Sequence, residues 1–157
     1  MDVLKCKLEG EDFMSRKRLS GILVVLMLLF IWGNSCLSGS QSSAVSGSLS
    51  YRLYQLLAVH LLDFDTFHHL IRKLAHFSEY ACLGGLMFWY MGYRFKNAAW
   101  VSVGLCLMAA VIDEGIQFFV PFRSCQITDV LIDLSGAIFL ILCLWSIKKI
   151  RRYANHS

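Results

Sequence analysis

The sequence predicts an all-α membrane protein: a four-helix transmembrane bundle with an amphipathic outer-surface helix between its first and second spans. Three observations predict it. The 157 residues are 57% hydrophobic and only 17% charged, further to the apolar side than a soluble domain of this size. Four stretches are long and apolar enough to cross a hydrocarbon core of about 30 Å, a distance that takes about 20 helical residues. Basic residues are distributed unevenly over the segments that join those stretches. All four spans read as one domain covering residues 1–157.

The first span is "LSGILVVLMLLFIWGNSCL", residues 19–37, directly after Arg16, Lys17 and Arg18. A basic stretch, an apolar core and the small residues of "SCLSGSQSSAVSGS" also fit a signal peptide, but the apolar run is long for one, so a retained helix is preferred. Residues 38–50 form a Ser/Gly-rich linker of flexible composition. In "YRLYQLLAVHLLDFDTFHHLIRK" the apolar Leu53, Leu56, Leu57, Phe64, Phe67, Leu70 and Ile71 recur at helical spacing, the pattern of a helix lying on a membrane surface. Asp65 or Thr66 is placed to cap a helix running on into the second span. His60, His68 and His69 read as interfacial polar residues.

The second span covers residues 74–93, the third 98–119 and the fourth 127–147. Trp89, Tyr90, Tyr93, Trp100 and Trp145 fall near one set of span ends, as an interfacial belt does. With the N-terminus inside, Lys5, Lys7, Arg16, Lys17, Arg18, Arg94, Lys96, Lys148, Lys149, Arg151 and Arg152 are internal. Only Arg52, Arg72, Lys73 and Arg123 are external, so both termini are expected in the cytoplasm. Cys82, Cys106 and Cys143 lie in apolar runs as packing residues, and a Cys36–Cys125 disulfide is left open. There is no glycine-rich phosphate loop, paired-cysteine zinc pattern or nucleic-acid motif.

Against this apolar background the charged residues are informative. A charge at membrane depth costs about 2.5–3.5 kcal/mol on insertion scales. Yet Lys73, His76 and Glu79 occupy the start of the second span, with Lys73, His76, Tyr80 and Gly84 on one helical stripe. Asp113, Glu114 and Gln117 share a face near the end of the third, and Asp129 and Asp133 lie one turn apart at the start of the fourth. At 1.5 Å per residue, Glu79, Asp113 and Asp133 each lie about 9 Å inside the outer end of their span. Three helices thus bring carboxylates to a common depth. Mutual pairing would lock a bundle, but small-residue contacts do that at lower cost, so the excess of carboxylates points to a site. Lys73 and Arg123 are expected to bend inwards and neutralise Glu79, Asp113 and Glu114.

"RKLAHFSEYACLGGL" and "DEGIQFFVPFRSCQITDVLIDLSGA" resemble the VanZ-like family of bacterial membrane proteins. The matching residues are Lys73, His76, Glu79 and Tyr80; Asp113, Glu114 and Gln117; Pro121 and Arg123; and Asp129, Asp133 and Gly136, within residues 72–137. Position 133 carries Asp where many relatives carry Asn, which adds a negative charge. The resemblance implies a bacterial cell-membrane location. Because the family's first member is associated with low-level teicoplanin resistance, it also implies a role in the cell envelope.

Two functions follow from these residues. In the first, a polar outer-leaflet pocket binds a membrane lipid or another amphiphilic envelope ligand. Lys73 and Arg123 would take its anionic groups, while Tyr80, Gln117 and the carboxylates of Glu79, Asp113, Glu114, Asp129 and Asp133, with His76, take hydroxyls or amines. The alternative is an intramembrane enzyme acting on a lipid or cell-wall precursor head group. In it His76 is a general base beside Glu79, Asp113 or Glu114, or these residues with Asp129 and Asp133 bind a divalent metal. No metal-ligand set is assigned from the sequence, and the cofactor is left open.

Overall fold

The computed structural model describes residues 2–38, 47–48, 50–56, 63–123 and 125–154, with side chains from residue 14 onward. Regular structure among them is entirely helical. Four long helices follow in order: α1 (Asp2–Ser35), α2 (Phe64–Met91), α3 (Ala98–Phe118) and α4 (Ile127–Ala154). The single proline, Pro121, lies in the turn between α3 and α4, so no helix loses a backbone hydrogen bond to it. Three segments are long and apolar enough to cross a membrane: Met14–Ser35, Ala98–Phe118 and Ile127–Ala154. At 28 residues α2 has the length, but it carries Asp65, Arg72, Lys73 and Glu79.

The helices overrun the expected spans. α1 begins at Asp2, α2 at Phe64 and α4 ends at Ala154, because Lys, Arg and Glu continue a helix readily beyond an apolar segment. The cap of α2 is Asp63, not Asp65 or Thr66. Asp63 has extended backbone (φ −68°, ψ 155°), and its carboxylate accepts the Thr66 N–H at 3.1 Å, which leaves Asp65 and Thr66 already helical. The Thr66 side chain first, and then its N–H, hold the Asp63 carboxyl below its ordinary range.

α2 is the central helix, packed against α1, α3 and α4, and its pairing with α4 is the most extensive. Glycine makes that pairing close. A Cβ on Gly84 would lie 2.7 Å from the Ala137 carbonyl oxygen, and one on Gly136 would run into the carbonyl of Phe77. At the other end, Gly21 of α1 lies against the Tyr90 ring. Trp32 Nε1 donates to the Ala109 carbonyl of α3 at 3.4 Å, which ties α1 to the bundle.

The interior mixes polar and small residues with a few large apolar ones such as Ile31, Leu83 and Ile141, while the exterior is large and apolar. Ser20, Ser35, Ser102, Asp113, Glu114, Gln117 and Asp133 are buried among Ala109, Ala110, Ala137 and Cys106. Ile22, Val25, Leu26, Leu29 and Phe30 of α1, and Met108 and Val111 of α3, are exposed. An exterior of that kind is unfavourable in water and favourable in lipid.

Residues 50–56 are helical and meet the first turns of α2. The Tyr54 ring stands edge-on to Phe64 and Phe67, with centroids 5.8 and 5.3 Å away, and His68 Nδ1 lies 3.0 Å from the Ser50 hydroxyl. His60 and most of the Ser/Gly linker lie outside the described residues. Cys36 and Cys125 are both free thiols, so the disulfide left open by the sequence is not formed.

Candidate functional site

The polar residues gather at one end of the bundle, where α1 and α3 end, α4 begins and α2 is in its first half. Their positions follow from the α2–α4 contact. Gly136 against Phe77 allows the two backbones to touch, and Asp133, one turn before Gly136, then faces His76 beside Phe77. His76 Nδ1 lies 3.6 Å from Asp133 Oδ1. α3 supplies Asp113, which brings one donor atom each from His76, Asp113 and Asp133 within 4.8 Å of one another. Asp113 and Asp133 are both 0% exposed.

Asp113 is fully held. The Ser35 hydroxyl donates to its Oδ1 at 2.5 Å, and the Gln117 amide donates to its Oδ2 at 2.9 Å. Gln117 also donates to the Ser35 hydroxyl at 3.4 Å, closing a three-residue network between α1 and α3. Asp133 is held by nothing of the kind: neither of its oxygens has a hydrogen-bond partner. The Tyr80 hydroxyl, one turn along α2 from His76, is likewise buried without a partner, as is His76 Nδ1.

Around this centre the other expected residues divide. Glu114 is buried, with Oε2 accepting the Gln126 N–H at 2.9 Å and Oε1 unpartnered. Asp129 is partly buried with one free oxygen, and Glu79 is partly buried beside Asn34. The expected neutralisation by Lys73 and Arg123 is not what the structure has. Lys73 is exposed, because its long stem can leave the charge in water one turn before the buried residues. Arg123 does turn inward, but it donates to the Asn34 carbonyl at 3.0 Å, capping the C-terminal end of α1 instead of pairing with a carboxylate. Burial holds the Arg123 guanidinium below its ordinary pKa, with Arg72 acting in the same sense, while Asp113, Glu114 and Glu79 act in the opposite one.

Two residues of this constellation come from the segment that the sequence offered as a signal peptide. Asn34 and Ser35 close the first apolar run. The polar pair lies inside the first expected span, where it also fitted the less favoured reading as the start of a cleavage region. The model of the family described as VanZ/LLP1 matches residues 20–149, a stretch that takes in α2 and α3 whole, the second half of α1, most of α4 and every residue of the cluster. The chain belongs to the VanZ-like family. No curated protein and no solved structure matched it. The VanZ-like match begins at residue 20, so it includes Asn34 and Ser35, which hydrogen-bond to Arg123 and Asp113 of the family motif.

Proposed function

We propose that this VanZ-like protein crosses the bacterial cell membrane four times, with α2 as a crossing and both termini cytoplasmic, and binds an amphiphilic envelope ligand in its polar end. That end faces the outer leaflet. The observation that carries the reading is the concentration at this end of buried polar atoms without partners: both Asp133 oxygens, the Tyr80 hydroxyl, His76 Nδ1, Glu114 Oε1, Arg123 Nε and Asp129 Oδ1, with the Ser102 hydroxyl the other such atom among the described residues. Unmet groups of this kind cost several kcal/mol together in a dry interior, and a bundle built only for stability would not keep them. A head group bearing hydroxyls, amines or anionic oxygens would satisfy them while its apolar tail lies along the lipid-facing helices. Binding of a lipoglycopeptide or of its envelope target there would contribute to teicoplanin-type resistance.

Mass spectrometry of the protein released from nanodiscs tests this. Wild type is expected to retain an amphiphile that Gln117→Ala loses while still inserting, and cells expressing the variant should lose any teicoplanin protection. No retained amphiphile and equal susceptibility in both strains would overturn the reading. The 3.6 Å contact of His76 with Asp133 favours a second one, an intramembrane enzyme with His76 as general base. Conversion of the retained amphiphile during incubation would distinguish it.

A further inference from the structure

His76, Asp113 and Asp133 come from three different helices, yet their donor atoms lie within 4.8 Å of one another. They differ in how they are held. Both Asp113 oxygens are oriented by Ser35 and Gln117, and each retains a free lone pair. His76 Nδ1 and both Asp133 oxygens are unpartnered, with Asp133 fully buried. The Tyr80 hydroxyl, also fully buried and unpartnered, belongs to the same stripe of α2. Among the described residues no Lys or Arg forms an ion pair with these carboxylates. A single proton on His76 or Asp133 would neutralise one charge and still leave Asp133 and Tyr80 oxygens unmet. A divalent ion would neutralise both carboxylates and use the open lone pairs together.

We propose that His76, Asp113 and Asp133 bind a first-row divalent cation of the Zn²⁺ or Mn²⁺ type, with Ser35 and Gln117 orienting Asp113 from behind. It rests on the reading of this polar end as a binding site and names the ion that site would take. An imidazole nitrogen with two carboxylates favours such ions over Mg²⁺ or Ca²⁺, which prefer oxygen alone. Metal–donor distances of about 2.0–2.2 Å require the three groups to draw in by about 1 Å, within reach of small side-chain rotations. Three protein ligands leave a coordination position for a ligand oxygen. Outer hydrogen bonds of the Ser35 and Gln117 kind are what fix a ligating carboxylate.

The test uses the full chain in nanodiscs, freed of any polyhistidine tag. Zn and Mn content is measured by mass spectrometry as purified, after dialysis against EDTA, and after adding back ZnCl₂ or MnCl₂ alone. Wild type is expected to hold about one ion per chain, to lose thermal stability in EDTA and to regain it with the metal. Ser78→Ala should bind as wild type, Ser35→Ala about 10-fold more weakly or worse, and His76→Ala and Asp133→Ala negligibly. Wild type that stays empty after metal addition, with a Tm indifferent to EDTA, overturns the proposal whether or not any variant folds. So does metal content equal to that of wild type in both His76→Ala and Asp133→Ala. Wild type that retains an amphiphile but takes up neither Zn nor Mn after addition removes the ion and leaves ligand binding standing; bound metal with no amphiphile does the reverse.

Discussion

Ser35 sets the terms at the scale of single residues. Its hydroxyl is the shortest hydrogen bond to Asp113, and Asp113 has no access to water that could replace it. Ser35→Ala is therefore expected to cost about 1–3 kcal/mol, the range for a buried hydrogen bond to a carboxylate left unmet. Thermal unfolding in one detergent checks it, with Ser78→Ala as the control, since Ser78 is exposed and bonds only within its own helix. Phe122 is the other residue with a local consequence. Its φ of 61° lies in the left-handed region, and the turn it makes leaves Phe122 outside and Arg123 inside. Phe122→Gly relieves that strain and is expected to keep or raise stability by about 1 kcal/mol, measured the same way. His76, Asp113, Gln117 and Asp133 could be named from sequence, because a charge in an apolar run needs a reason and three such runs shared a depth. Ser35 and Asn34 could not, because small polar residues at the end of a span carry no cost that demands explanation. Nor could the direction of Arg123, since an arginine in a turn reaches a carbonyl as readily as a carboxylate.

At the scale of elements, the α2–α4 contact positions the site. Gly84→Ala places a Cβ against backbone atoms of Ala137 that have no room to move, and Gly136→Ala meets the Phe77 carbonyl. Both are expected to destabilise by about 1–3 kcal/mol or more, and Gly136→Ala should also separate His76 from Asp133. Gly104→Ala, with nothing within 4 Å of its Cβ, should leave the unfolding temperature unchanged or slightly higher. The 50–56 segment yields a pH prediction. Burial, then Arg72 and His69, holds the His68 pKa below its ordinary 6.5, against a smaller opposing effect of Asp65. A pKa lower in the folded state means that the docked segment has its full stability above pH 6.5 and loses it as the pH falls below that value through the lowered folded pKa. Hydrogen exchange of amides 50–56 should accelerate between pH 7.5 and 5.5 beyond the intrinsic pH effect, and His68→Asn should remove the excess. Helix periodicity made α2–α4 legible, with α3 and the start of α4 placed to within a residue. The cap of α2 was missed because "DFDT" offers two acids two residues apart, and only the packing of Phe64 and Phe67 on Tyr54 selects the first.

At the scale of the whole molecule, polar and aromatic ends are separated along one axis. The Ser35–Asp113–Asp133 group occupies one end. Trp89, Tyr93, Trp145, Lys148 and Arg151 occupy the other, where Trp89 Nε1 donates to the Tyr93 hydroxyl at 2.8 Å and Lys149 stands 5.2 Å over the Trp145 ring. Basic residues favour the cytoplasmic side of a membrane, which is the ground on which the polar end is proposed to face outward. Cys125 reports directly on that claim. It is an exposed, free thiol in the turn that carries Gln126, the backbone partner of Glu114. Its pKa is raised by local desolvation and Glu114, so labelling is best done at mildly alkaline pH. In a variant keeping Cys125 as its only cysteine, a membrane-impermeant maleimide added to intact cells is expected to label the thiol fully, with no gain on permeabilisation. Labelling that appears only after permeabilisation would put the polar end in the cytoplasm and contradict the outer-leaflet site.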